Sequence, residues 1–186
     1  MAPVLSPYLQ KKRFEAVRPY LQGNILDLGC GGAEIISLLH PGQNYLGVEG
    51  NSDTVRRLKS THPSFEFLLR DLEHDELDID QKFDTVLLIA VIEHLHDPEC
   101  LLRQIPALLS SSGKLVITTP TPLGDRLHKL GARVGLFSMI AVHDHERIYT
   151  YHTLRDSLSR GGLDIREYRR FLFGGNQLCV CGVGTM

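Results

Sequence analysis

The sequence predicts an open, doubly wound α/β sheet, and three observations carry that prediction. Short apolar runs alternate with helix-patterned stretches through five units, the pattern of parallel strands joined by crossover helices. A glycine-rich turn, "DLGCGG", directly follows the first run. One run, "FDTVLLIAVIEH", is so continuously apolar that it reads as a central strand covered on both faces.

The elements follow in order. "PYLQKKRFEAVRPYLQ" spaces Leu9, Phe14, Val17 and Leu21 as a helix would, so residues 1–22 are expected to form an N-terminal helix. "NILDLG" is a first strand. "GAEIISLLH" sets Ile35, Leu38 and Leu39 on one helical stripe, stopped by Pro41-Gly42. "NYLGVEG" is a second strand, and "SDTVRRLKSTH" a helix capped by Asn51 or Ser52. "FEFLLRD" is the third strand and the long apolar run the fourth. "ECLLRQIPALLSSSG" is a helix ending near Gly113, and "KLVITTP" the fifth strand. Residues 121–149 are long for a plain connection and are expected to be partly helical and to act as a lid. "YHTLRDSLSRGG" is a further helix. "LDIREYRRFLF" and "NQLCVCGVG", joined through Gly174-Gly175-Asn176, alternate as a closing antiparallel hairpin.

Length and composition bound the rest. A chain of 186 residues with 42% apolar and 23% charged residues fits one compact domain, here taken as residues 1–186. Net charge is -2, but residues 1–100 hold sixteen acids and nine bases while 101–186 hold six acids and eleven bases. That asymmetry would suit a basic surface around an anionic substrate, or only solvated faces. No apolar run reaches the roughly 18–20 residues that span a bilayer. The basic cluster near the N-terminus follows the apolar residues, the reverse of a secretory signal. Cys30, Cys100, Cys179 and Cys181 make no metal-type pair and are expected as reduced thiols in a cytoplasmic protein, with Cys179 and Cys181 on one buried strand face.

In such sheets ligands sit outside the carboxyl ends of the strands. At the first end, Gly29 and Gly31 let the backbone approach a ligand, and the next helix would offer free N–H groups. The turn alone is compatible with a bare structural corner, a dinucleotide cradle or another adenosine-bearing cofactor. Glu49, at the second end, could accept both ribose hydroxyls and would disfavour a 2′-phosphate. Asp71, at the third, could accept a hydrogen bond from an adenine amino group.

Together, "ILDLGCGGAE", "YLGVEGN", "RDLEHDEL", "FDTVLLIAVIEHLHDP" and "GKLVITTPTP", in that order and spacing, resemble a class I S-adenosylmethionine-dependent methyltransferase. The small-molecule branch that includes ubiquinone and menaquinone biosynthesis enzymes is the nearest likeness. It covers residues 20 to 120 strongly and "HERIYTYHTLRDSLSRGGLDI" more weakly. The resemblance implies a Rossmann-like, mostly parallel seven-stranded sheet in three α/β/α layers. It implies that Asp27, Gly29, Cys30 and Gly31 line the methionine part of S-adenosylmethionine, that Glu49 and Gly50 hold the ribose, and that Asp71 and Leu72 hold the adenine. Glu93 and His94 would lie beside the methionine end and the substrate. The chain departs from the family at Ala33, where a third glycine is usual, with Gly32 one place earlier.

A methyl acceptor that must lose a proton needs a base, for which His94, and His143 and His145 in the expected lid, are the candidates. The pair in "HDHE" could also chelate a metal with Glu146 or His152, but no supporting cluster exists and no metal is expected. Nucleic acid is an unexpected substrate: "IEHLHDP" stands where base-methylating relatives carry an Asn/Asp-Pro-Pro-aromatic element, and no basic stripe is interleaved with aromatics. The expected partner is a small-molecule acceptor, with room for a homodimer. A non-catalytic cofactor-binding subunit is the alternative, since it would need the same glycines.

Overall fold

The computed structural model describes residues 6–133 and 146–184. Seven strands form one sheet: β1 (Ile25–Leu28), β2 (Tyr45–Glu49), β3 (Glu66–Leu69), β4 (Phe83–Ile89), β5 (Leu109–Pro120), β6 (Leu163–Phe171) and β7 (Asn176–Val183). Their spatial order is β3-β2-β1-β4-β5-β7-β6, parallel from β3 to β5 and antiparallel for β5–β7 and β7–β6. The chain winds outward from β1 to β3, then returns to lay β4 on the other side of β1. The switch point therefore lies between the carboxyl ends of β1 and β4, where open α/β sheets bind ligands.

Among the described residues, five α-helices flank the sheet: α1 (Ser6–Val17), α2 (Ser52–Thr61), α3 (Pro98–Leu108), α4 (Pro122–Arg133) and α5 (Tyr151–Arg160). The two-residue period of the strands divides the core cleanly. Leu26, Leu28, Val86, Leu88, Leu115, Ile117, Cys179 and Cys181 face one cluster, with Leu101, Leu102 and Ile105 of α3 and Leu154 and Leu158 of α5. Ile25, Leu87, Val116, Leu178 and Val180 face the other, with Ala16 and Val17 of α1 and Val55 and Leu58 of α2. Cys179 and Cys181 share one buried face, as their spacing requires. No helix among the described residues is long and apolar enough to cross a membrane.

Local chemistry sets the helix ends. Asn51 caps α2 through a 2.9 Å bond from the Thr54 N–H. Asp97 caps α3 with Pro98 in its first turn, a position that needs no N–H. Thr150 and Thr153 form a reciprocal capping box on α5.

Three expectations need correction. "GAEIISLLH" is not an α-helix but a five-residue 3-10 turn, Glu34–Leu38. The left-handed turn runs to Ala33 and Pro41-Gly42 follows, which confines any helix here to residues 34–40. The apolar run 83–94 is not one strand. β4 stops at Ile89, Ala90 turns the chain at φ +56°, and Ile92–His94 forms a 3-10 turn. α3 ends at Leu108 rather than near Gly113, two residues after Pro106 removes a helical N–H. Leu109 then pairs with Phe83, and the Ser110 hydroxyl donates to Asp84 Oδ1 at 2.8 Å, drawing 109–113 into β5.

Candidate functional site

Asp27 has the same strand parity as Ile25, so its carboxylate enters the core on the α1 side of the sheet. It is 4% exposed, and Oδ2 accepts a 2.9 Å hydrogen bond from the Tyr45 hydroxyl. Burial pushes its pKa up to about 7, against the opposing effect of the Tyr45 bond; Glu34 and Glu49 push the same way as burial. The Cys30 thiol beside it is pushed up to about 12 by burial and the neighbouring acids, so it is a neutral lining group.

The turn that follows is built from left-handed residues: Gly29 at φ +74°, Gly31 at φ +54° and Ala33 at φ +57°. The N–H groups of Gly29 and Cys30 both reach the Val48 carbonyl at the end of β2. The two glycines serve different ends. A Cβ on Gly29 would stand 2.6 Å from Val91 Cγ2 and 3.6 Å from Leu72 Cδ1, so the backbone is pressed against side chains. No described atom lies within 4 Å of a Cβ built on Gly31, which therefore borders open space. Ala33 adopts the left-handed geometry that glycine would take without strain, so the departure from the family spacing leaves the turn's shape intact.

That open space is a cavity of about 460 Å³, lined by Asp27, Gly29, Cys30, Gly31, Gly32, Glu34, Ile35 and Ile89 from the sheet side, with Pro7, Gln10, Arg13 and Phe14 of α1 across it. Its size is ordinary for a small-molecule site. It offers both signs of charge, a buried carboxylate at Asp27 and the Arg13 guanidinium. Arg13 Nε donates to Asn176 Oδ1 at 3.1 Å, and burial lowers its pKa while Glu93 raises it. α1 is fastened over the cavity: Arg169 Nη2 donates to the Ala16 carbonyl at 2.6 Å, and Gln10 Nε2 reaches Glu34 Oε2 at 3.3 Å.

Glu49, at the end of β2, is tied to the same turn. Its Oε2 accepts the Gly31 N–H at 3.0 Å and its Oε1 the Asn51 N–H at 2.9 Å. Each oxygen keeps a lone pair for a further donor. Gly50 is exposed, with only the Arg70 carbonyl, at 3.6 Å, near a Cβ there. Leu72 packs toward Gly29 and the core. Asp71 is exposed and shapes its own turn, accepting from the Glu73 N–H at 2.9 Å and bonding His74 Nδ1 at 3.0 Å, which hold its pKa below the usual range.

Glu93 and His94 are adjacent but differ in burial. Glu93 is 1% exposed, and both carboxylate oxygens lack a hydrogen-bond partner among the described residues. The His94 side chain is exposed. The carbonyl of Glu93 accepts the N–H groups of Glu146 and Arg147 at 2.9 and 3.1 Å, which fixes the 3-10 turn to the chain beyond residue 145. His143 and His145 lie outside the described residues.

The structure thus brings Asp27, Gly29, Cys30, Gly31 and Glu49 together at one end of the sheet, with Leu72 behind them. Arg13, Gln10 and Phe14 were not anticipated. Arg13 stands four residues before buried Val17, and that helical spacing was the available signal. The element after the turn is a short 3-10 turn, Glu34–Leu38, rather than the expected α-helix.

Comparisons with known proteins agree with this architecture. A family model described as a methyltransferase domain matches residues 5–168. The chain is 29% identical over 164 residues to a protein of Ruegeria pomeroyi named ubiquinone biosynthesis O-methyltransferase, covering 84% of this chain and 66% of that one. It is 30% identical over 176 residues to a protein of the same name from Xanthomonas euvesicatoria, covering 89% and 74%. The chain therefore spans about two thirds to three quarters of the length of these relatives. Among solved structures, magnesium protoporphyrin IX methyltransferase from Synechocystis with bound SAH superposes with a TM-score of 0.68 at 18% identity, covering 95% of this chain and 84% of that one.

Proposed function

The chain belongs to the methyltransferase domain family, as a class I S-adenosylmethionine-dependent member, and from that premise we propose that it transfers a methyl group from S-adenosylmethionine to an oxygen of a small-molecule acceptor. The observation that carries the proposal is the cavity where the Gly31 backbone lies bare between the Asp27 carboxylate and the Arg13 guanidinium. S-adenosylmethionine supplies an activated methyl on a sulfonium, and the protein's task is to bind, align and exclude water.

In this proposal Asp27 takes the cofactor's ammonium and Arg13 its carboxylate. Glu49 takes the ribose hydroxyls on the lone pairs that Gly31 and Asn51 leave free, with Gly50 giving clearance. Leu72 makes an apolar wall for the adenine, and Asp71 meets its amino group from the exposed side. The names of the two curated relatives favour oxygen as the accepting atom, with nitrogen second. The proposal also places the reaction in the cytoplasm, on the cysteine usage read in the sequence.

Titration calorimetry with S-adenosylmethionine tests the cofactor site, and absence of binding by folded protein would sink the proposal. Incubation with methyl-labelled cofactor and a metabolite extract tests the transfer. Label recovered in methyl ethers supports oxygen, and label recovered only in methylamines overturns it.

A further inference from the structure

Buried polar groups in folded proteins are almost always hydrogen-bonded, and an orphaned one calls for a reason such as a catalytic role. Glu93 is such a group. Its carboxylate is 1% exposed with both oxygens unpartnered among the described residues, while its backbone is firmly held through the Glu146 and Arg147 N–H groups. Three hydroxyls at the same end of the sheet, those of Thr118, Thr119 and Tyr149, are likewise buried without a partner. Glu93 lies within electrostatic reach of both Arg13, which lines the cofactor cavity, and Tyr149. It follows Ile89, another lining residue, by one short turn. A carboxylate stranded in this way destabilises the empty fold unless something brings it a donor.

Resting on the methyltransferase reading above, we propose that Glu93 belongs to the methyl acceptor rather than to the cofactor, and that its carboxylate receives the proton of the acceptor's hydroxyl. The O–H proton passes to a Glu93 oxygen while the oxygen's electron pair forms the new O–C bond. The C–S bond breaks with its pair going to sulfur, which cancels the sulfonium charge, and Glu93 later returns the proton to water. On this proposal the buried Glu93, rather than the exposed His94 beside it, takes the role of base. Of the orphaned hydroxyls, that of Tyr149 is within electrostatic reach of Glu93 and gives the acceptor a further polar contact, while Thr118 and Thr119, consecutive on β5, point to opposite faces and cannot both do so.

The test is Glu93→Gln in the full chain, read three ways against wild type. Thermal melting of the ligand-free protein should hold, because the amide is cheaper to bury than a carboxylate without a hydrogen bond, which offsets the lost attraction to Arg13. Affinity for S-adenosylhomocysteine should be unchanged. Transfer of labelled methyl to catechol, used as a hydroxyl probe, should fall by about 100-fold or more. A variant that loses S-adenosylhomocysteine affinity returns Glu93 to the cofactor site, and one that melts well below wild type makes it structural; either overturns the proposal. Retained transfer overturns it as well, as does a wild type that binds S-adenosylhomocysteine but does not methylate catechol. A wild type that binds no S-adenosylhomocysteine instead overturns the methyltransferase reading on which the proposal rests.

Discussion

The Tyr45 hydroxyl donates a 2.9 Å hydrogen bond to Oδ2 of Asp27, joining the floors of two adjacent parallel strands beneath the glycine turn. The bond favours the ionised carboxylate, burial opposes it, and burial prevails, with the result at about 7.

Stability should therefore respond to pH through Asp27. Its folded-state pKa of about 7 exceeds the ordinary value of 3.8, so between those values the folded chain binds more protons than the unfolded one. Stability from this group is complete below the ordinary value and falls as pH rises toward and through about 7. Melting temperatures of the ligand-free protein measured across that range, with Asp27→Asn subtracted, should show this decline. A difference curve that is flat or rises would contradict the assignment.

The two glycines should separate fold from ligand. Gly31→Ala meets no described atom within 4 Å, so it should cost only the strain of a left-handed alanine, about 1–2 kcal/mol, while its methyl group intrudes on the cavity. Folding should survive, and S-adenosylmethionine affinity should drop. Gly29→Ala adds a clash with Val91 to the same strain and should cost about 2–5 kcal/mol. Denaturant melts paired with calorimetry distinguish the two, and equal effects on both readouts would refute the contrast.

Glu49→Ala removes the acceptor of the Gly31 and Asn51 N–H groups as well as the ribose partner. Cofactor binding should weaken by about 1–3 kcal/mol through lost charge-assisted bonds. Unchanged affinity by calorimetry would remove Glu49 from the site.

Ala33→Gly should stabilise the fold. Relief of a left-handed alanine is worth about 1–2 kcal/mol, offset by about 0.5–1 kcal/mol of extra chain entropy in the unfolded state. The net gain of up to about 1.5 kcal/mol corresponds to a rise of roughly 2–4 °C per kcal/mol in a domain of this size. A lower melting temperature would show that the buried methyl group matters more than the strain.

Much of this was legible in the sequence. Strand ends in a parallel sheet are where ligands sit, so Asp27, Gly29, Gly31 and Glu49 could be singled out from alternation and glycine placement alone. Arg13 was harder because it ends the run Lys11-Lys12-Arg13, and only the helical phase relative to Phe14 and Val17 says which of three cations turns inward. The failed helix at Glu34–Leu38 shows a stripe of apolar residues confined by its flanks: the left-handed turn before it and Pro41-Gly42 after it leave only residues 34–40 for any helix. The contrast between Glu93 and His94 was hidden for a similar reason. As residue types, the histidine looks better suited to proton transfer, and only the turn after Ala90 reveals which of the two is withdrawn from water.

The fastening of Glu93 to Glu146 and Arg147 has an evolutionary side. At the far end of the same stretch, the Thr121 N–H and hydroxyl reach the Gly175 and Gly174 carbonyls at 3.0 and 2.7 Å. A segment pinned at both ends can change length cheaply, since each doubling of a loop adds only about 0.6 kcal/mol of closure entropy. α4 (Pro122–Arg133) belongs to the packed body at its start, so a change of length beyond it would leave the glycine turn and its strand ends untouched.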